Sequence, residues 1–220
     1  MTATAYAEYA MIEAVNWSTL KMMNRSPAHY HHNLLAPSED KPAYKFGRAV
    51  HMAALEPERF KANIVRWDGG VRRGKDWDVF VADHKGMDIL TVDEHDLCLS
   101  IGSAVRSDAD AKRFLSGGQG ELTTRWTHHH EPSQTDIKCK GRLDFVAEVG
   151  AIVDLKTTID VAPGPFGRQA YKLGYHGQAA WYRDGYEAET GKALPVVIVG
   201  EAPVATIAAP ASGPSVTVVI

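Results

Sequence analysis

The stretch "AIVDLKTT", residues 151–158, is apolar enough for a buried strand yet carries Asp154 and Lys156. Side chains of an extended chain alternate between faces, so Asp154 and Lys156 project together while Val153 and Leu155 point the other way. Ten residues before Asp154 a second apolar run, "KGRLDF", supplies Asp144, and a third, "ELTTRWTH", opens with Glu121. If the three runs are neighbouring strands, their acids converge on one edge of a sheet. Clustered, partly buried carboxylates repel one another unless a cation sits among them. All-oxygen donor sets favour Mg2+ or Mn2+ over zinc. Lys156 would then compensate charge, orient a water or meet negative charge developing at phosphorus. A lone D-x-K tripeptide reads more simply as an ion pair on a solvated face. Here it follows two further acids in order.

Working outward, the 220 residues are 45% hydrophobic and 23% charged, an ordinary globular composition sufficient for one sizeable domain. The expected organisation is a single domain over 1–220, mainly helical over 1–115. A sheet and long helix follow over 116–205, with an atypical tail over 206–220. No run approaches the roughly 20 apolar residues that span a bilayer. The start, "MTATAYAEYAMIEAVNW", lacks a basic region followed by an apolar one. A cytoplasmic protein with no membrane partner is expected. Cys98 and Cys139 have no C-x-x-C spacing and are expected to be reduced thiols. A formal net charge of −3 argues against holding nucleic acid by bulk electrostatics alone.

Periodicity orders the elements. "NWSTLKMMNRSPAHYHHNL" suggests a short helix closed near Pro27. "AYKFGRAVHMAALEPERF" places Phe46, Val50 and Ala53 on one helical stripe ending before Pro57. Residues 61–90 read as a charged connector, and "TVDEHDLCLSIGSAVRSDADAKRFL" as a helix capped by Thr91 with Glu94 three residues on. Three strands then follow, helical spacing runs from about 166 to 190, and "PVVIVGEAP" is a further strand. The class is α/β or α+β.

The motifs resemble those of PD-(D/E)xK nucleases, with Asp144 as the first acid and Asp154-Leu155-Lys156 as the D-x-K. "FGRAVHMAALEPERF" resembles the G-x-x-x-H helix of the RecB-like branch, carrying His51, and "YHGQAAWY" supplies its Q-x-x-x-Y, Gln178 and Tyr182. The wording of "SPAHYHH", "CKGRLDF" and "GYHGQAAWYRDG" is similar to phage and prophage RecE-type exonucleases, over roughly residues 17–203. The resemblance implies a restriction-endonuclease-like core, a mixed central sheet flanked by helices, with N-terminal helical additions. It implies that His51, Asp144, Asp154 and the backbone carbonyl of Leu155 bind Mg2+ or Mn2+, as two ions. Glu121 would join the acidic cluster and Lys156 would orient the attacking water. It also implies a 5′ to 3′ exonuclease on linear double-stranded DNA ends, in the host cytoplasm if phage-encoded. A ring-shaped homo-oligomer and a single-strand annealing partner follow from the same likeness. The alternatives are an endonuclease or single-strand-preferring nuclease on the same core, or a catalytically weak DNA-binding module.

Other features are weighed beside these. Gly47 lies one turn before His51, where a missing side chain would let the helix approach the sheet. Gln178 and Tyr182 share a helical stripe with Tyr171 and Tyr175; a buried amide needs partners, so Gln178 could bond phosphate or a metal-bound water. Arg72, Arg73 and Lys75 in "VRRGKDW" could grip a DNA backbone. Lys138, Lys140 and Arg142 alternate on the strand leading to Asp144 and could line a DNA channel. "HHH" at 128–130 is expected in a hairpin loop at the surface, and His31–His32 read as surface histidines. There is no P-loop to drive unwinding, no G-x-S-x-G and no H-E-x-x-H.

Overall fold

Alternation of apolar and polar residues over 135–147 and the apolar run over 151–157 produce the two strands on which the sheet is built. In the computed structural model these are β5 (Thr135–Ala147) and β6 (Ala151–Thr157), antiparallel and joined through Gly150. Gly150 sits at φ 86°, a conformation open to glycine at no steric cost. The structure describes residues 2–3, 6–35, 41–202 and 215–219. Among these the sheet has six strands in the order β1 (Thr2–Ala3), β4 (Gly118–His130), β5, β6, β7 (Val196–Ala202) and β8 (Ser215–Val219). Only β6 and β7 run parallel, so the sheet is mixed. Its two edges come from the chain termini, and residues 206–214 of the expected tail lie outside the described residues.

Helices cover both faces. One face, bearing Phe145, Ala147, Val153, Leu155, Val197 and Val199, packs on α4 (Pro42–Leu55), α7 (Val92–Ser107) and α8 (Ala109–Leu115). The other, bearing Leu122, Leu143 and Ile152, packs on Tyr182 of α10 (Tyr175–Thr190). Thr91 and Glu94 make the capping box of α7 as expected. The chain then breaks at Asp108, whose carboxylate caps α8 by accepting from the amides of Asp110 and Ala111.

Several expectations are corrected. The 61–90 connector contains β2 (Ile64–Trp67), α6 (Lys75–Asp83) and β3 (Asp88–Thr91), with β2 and β3 a parallel pair. These strands are four residues each, too short for alternation to register. The long C-terminal helix is two, α9 (Pro163–Leu173) and α10, divided by Gly174 at φ 73°. The three histidines end β4 instead of forming its loop, which is 131–134. A side chain at Gly47 would meet nothing within 4 Å, so that glycine permits no close approach. The close approach is at Gly102 of α7, where a Cβ would lie 2.6 Å from the Ala53 carbonyl of α4. Arg106 of α7 also donates to the Ala53 carbonyl, so the C-terminal end of α4 is held from two directions.

The shorter helices α1 (Tyr6–Ala10), α2 (Trp17–Leu20) and α3 (Pro27–Leu35) precede α4, and α5 (Pro57–Asn63) follows it. Val15 bridges to the β5 edge that β6 leaves open: its amide donates to Lys138 and its carbonyl accepts from Lys140. Both cysteines are free and buried, and burial pushes the Cys98 thiol up to about 12. No helix among the described residues is long and apolar enough to cross a membrane.

Glu201 on β7 is fully buried; Thr157 Oγ1 donates to its Oε1 at 2.7 Å, while Oε2 lacks a hydrogen-bond partner. Burial pushes its carboxyl up to about 7, against the hydrogen bond from Thr157. A carboxyl raised on folding favours the native state while protonated, and that contribution is lost as pH rises from about 4.5 through 7. Glu201→Gln should therefore match wild type near pH 4 and exceed it at pH 8 by up to roughly 3 kcal/mol. Urea unfolding at the two pH values checks this; an equal difference at both would refute it.

Candidate active site

Strands β5 and β6 pair at Phe145–Val153, Val146–Ile152 and Ala147–Ala151, and then part. Asp144 and Asp154 are the first residues on each strand beyond the pairing. The Leu155 amide donates to Asp144 Oδ2 at 2.9 Å, a side chain serving where a strand partner would otherwise be needed. On the other side of β5, the pairs Gly120–Phe145 and Leu122–Leu143 bracket Glu121 opposite Asp144. Glu121 has φ 55°, left-handed for a residue with a side chain, at a strain on the order of 1 kcal/mol. Strict alternation would put Leu143 and Phe145 on one face. Instead Leu143 packs with Ile152 and Tyr182, and Phe145 packs with the α4–α7 side. Asp144 sits at this switch and so reaches toward α4.

The side chains meet there. His51 Nδ1 of α4 lies 3.7 Å from Asp144 Oδ2. Lys156 Nζ is 2.8 Å from Asp154 Oδ1, with Asp154 1% and Lys156 14% exposed. Asp154 Oδ2 is equally near the ammonium but has no hydrogen bond of acceptable geometry. Lys156 Nζ also stands 5.0 Å from the Tyr175 ring centroid. Gln178 Nε2 donates to the Tyr182 hydroxyl at 2.7 Å, giving the half-buried amide a partner. Arg142 Nε pairs with Glu121 Oε2. His51, Glu121, Arg142 and Asp144 line a cleft of about 350 Å3.

Electrostatics follow from this crowding. Burial, then repulsion from Asp144, outweighs the attraction of Lys156 and lifts Asp154 to about 6. Burial likewise lifts Asp144 and, with repulsion from Asp144, lifts Glu121. Lys156 is pushed down by burial but further up by Asp154 and Asp144, so it stays an ammonium at neutral pH. Burial, then the Lys156 charge, lowers His51 to about 4, leaving its imidazole neutral. The Tyr182 hydroxyl, raised by burial and by both aspartates, keeps its proton.

The donor chemistry fits a hard divalent cation: two carboxylates, a neutral imidazole beside the Leu155 backbone, and a buried Asp154 oxygen without a hydrogen bond. Among the described residues, no three His, Cys, Asp or Glu side chains form a preformed cluster, and Asp154 is paired with Lys156.

The sequence-predicted DNA contacts divide. Lys140 is corrected: it is buried, its ammonium donates to the carbonyls of Tyr9 at 3.0 Å and Ile12 at 2.7 Å, and it serves to hold the N-terminal segment. Arg142 is the partner of Glu121. Arg72 donates to Glu94, the cap of α7, at 2.7 Å, and Arg73 and Lys75 are exposed. Tyr171 is exposed on α9, apart from the α10 stripe, whereas Tyr175 lies beneath Lys156. Sequence reasoning missed Arg48 and Arg59, which line the cleft with Glu56 and Asp88. Helical spacing could have found Arg48, three residues before His51. Tyr6 of α1 also reaches the cleft, its ring 5.5 Å from the Arg142 guanidinium.

The family described as "PDDEXK-like domain of unknown function (DUF3799)" matches residues 16–206. The crystal structure of a protein described as "Putative exonuclease" from Eubacterium rectale superposes with a TM-score of 0.64 and 18% identity. That alignment covers 100% of this chain and 77% of the other, a likeness of fold. The crystal structure of SSO0001 aligns at TM-score 0.30 and 12% identity over 98% of this chain and 77% of the other, too slight to bear on the fold. No curated protein matches the chain.

In metal-free protein the His51 imidazole should titrate near 4 by NMR, and Lys156→Met should move it upward by removing the neighbouring cation. Titration near the ordinary 6.5 in wild type would contradict the geometry.

Proposed function

Because the chain belongs to the PDDEXK-like family that matches residues 16–206, we propose that it is a metal-dependent deoxyribonuclease. The reading extends to an exonuclease that digests linear double-stranded DNA 5′ to 3′ and leaves 3′ single strands for phage recombination. A ring-forming homo-oligomer and a single-strand annealing partner belong to the same proposal. The observation that carries it is the meeting of Asp144, Asp154, Lys156 and His51 where β5 and β6 part. The exonuclease description given to the Eubacterium rectale protein is in keeping with it.

His51, Asp144, Asp154 and the Leu155 carbonyl would hold Mg2+ or Mn2+. The ion, when bound, supplies Lewis-acid polarisation of the phosphodiester and a more acidic water. Other parts of the reaction fall to the chain. Lys156 carries its proton, so it acts as a donor that orients the attacking water and meets the charge growing on the phosphoryl oxygens, not as a general base. The Tyr182 hydroxyl, held by Gln178, is a second protonated donor facing the aspartates. Arg142 keeps Glu121 in place across from Asp144, limiting the repulsion among three acids. Attack of water on phosphorus in line with the scissile P–O bond releases one strand end as a phosphate and the other as a hydroxyl.

End-labelled linear duplex and covalently closed circular DNA, each with Mg2+, test the reading. The linear substrate should be degraded progressively and the circle spared, with activity abolished by EDTA. Lys156→Met should lower the rate by about 10²–10³-fold, the loss typical of removing one transition-state donor, and Asp154→Asn by at least as much through loss of a carboxylate that would hold the ion. Cleavage of the circle at a comparable rate would make it an endonuclease, and undiminished cleavage by both variants would remove the site assignment.

A further inference from the structure

Beyond Lys156, β6 leaves the core through Thr157 and Thr158 and opens onto a second concavity. This groove, of about 580 Å3, is bounded by Thr157, Thr158 and Ile159 on one side and by Arg168, Gln169 and Lys172 of α9 on the other. Its charge differs from that of the cleft at His51. The cleft sets Glu56, Asp88, Glu121 and Asp144 against Arg48, Arg59 and Arg142, whereas the groove has two exposed cations and no carboxylate in its lining. Arg168 and Lys172 are four residues apart on a helix and therefore share a face, with Tyr171 between them at the three-residue spacing from Arg168.

The apolar groups here are unusually open. Ile159 of the lining is 86% exposed, and Tyr171, next to Lys172 on α9 but outside the lining, is 80% exposed. The Tyr171 ring is held against His176, with centroids 5.9 Å apart and planes 19° from parallel, which presents its outer face as a flat platform. The groove wall is also tied to the catalytic lysine by a polar chain. Thr158 Oγ1 donates to Gln169 Oε1 at 2.9 Å, Gln169 Nε2 donates to the Tyr175 hydroxyl at 3.2 Å, and Lys156 sits over the Tyr175 ring.

Resting on the nuclease reading of the adjoining site, we propose that this groove binds one strand of DNA in single-stranded form as it passes the D-x-K strand. Arg168 and Lys172 contact two phosphates, and a base stacks on the exposed ring of Tyr171. Cations that follow a backbone, interleaved with an aromatic face, are the chemistry of sequence-tolerant single-strand binding. Away from its ends a duplex keeps its base faces stacked inside and offers none to Tyr171, so a strand running along the groove is unpaired. The link through Gln169 and Tyr175 means that a strand seated in the groove adjoins the group expected to face its scissile phosphate.

Fluorescence anisotropy with a labelled oligo-dT in EDTA tests this without any cleavage. Wild type should bind in the absence of metal, and its affinity is the reference for the variants. Arg168→Glu/Lys172→Glu should weaken binding at least tenfold and flatten the slope of log K against log salt by about 1.4, from about 0.7 per single-strand phosphate contact. Tyr171→Ala should weaken binding roughly tenfold with the salt slope unchanged. The charge-preserving pair Arg168→Lys/Lys172→Arg should bind nearly as wild type, and the milder Arg168→Gln/Lys172→Gln gives the same reading should the reversal perturb folding. Failure of wild type to bind the oligonucleotide, or undiminished binding by the charge-reversed and glutamine pairs, overturns the groove. Neither result bears on the digestion of linear duplex, which stands or falls on the Asp154 and Lys156 variants.

Discussion

The parting of β5 from β6 just past Phe145 and Val153 is the constraint on which the site depends. A strand that loses its neighbour leaves an amide to be satisfied, and a buried amide without an acceptor is costly. Asp144 meets that need for Leu155, and in doing so is pinned against the strand that carries Asp154 and Lys156. The left-handed Glu121 across from it and the change of face between Leu143 and Phe145 are the local distortions that come with this arrangement. Strain of that kind persists because β4 and β5 stay in register on both sides of it.

Two buried carboxylates at one level of a sheet destabilise each other, and the chain answers with a single ammonium. Lys156 compensates Asp154 and adds to the burial that depresses His51, and the two together leave the imidazole neutral and able to donate a lone pair. The position of His51 is set by packing remote from it. Gly102 and Arg106 of α7 hold the last turn of α4 through the Ala53 carbonyl, and Ala49, Val50, Ala53 and Ala54 bury the inner stripe of that helix. On the opposite face, α10 brings Tyr175 under the lysine and Tyr182 toward the aspartates.

Two surfaces adjoin this centre, and their charges divide the work. The cleft at His51 matches each of its arginines with an acid, Arg48 with Asp88, Arg59 with Glu56 and Arg142 with Glu121. Such pairing leaves little net positive potential, which would favour entry of the proposed divalent cation. The groove beyond Thr158 has positive charge without compensation in its lining, as the proposed hold on a phosphate backbone requires. A net charge of −3 does not oppose that proposal, because local sign, not the sum, decides where a polyanion would lie.

Residues 151–158 and 141–145 by themselves determined a core pair of strands with Asp144, Asp154 and Lys156 at matching places, because strand period and ordered motif are local properties of a chain. The cap at Thr91, the α4 stripe around His51 and the shared stripe of Gln178 and Tyr182 were legible for the same reason, whereas the hydrogen bond between those two was not. Local pattern did not distinguish Lys140 from Arg142. They alternate identically along β5, yet one is buried under the carbonyls of Tyr9 and Ile12 while the other lies in the cleft against Glu121. Nor did it reveal β2 and β3, whose four residues carry too short a repeat, or the groove, whose walls come from β6 and α9 and exist only once those segments are brought together. The tertiary structure decided which cations face solvent, which glycine permits helices to touch, and which tyrosine meets the lysine. Each of these is set by neighbours distant along the chain, and no periodicity along one segment encodes its distance from another.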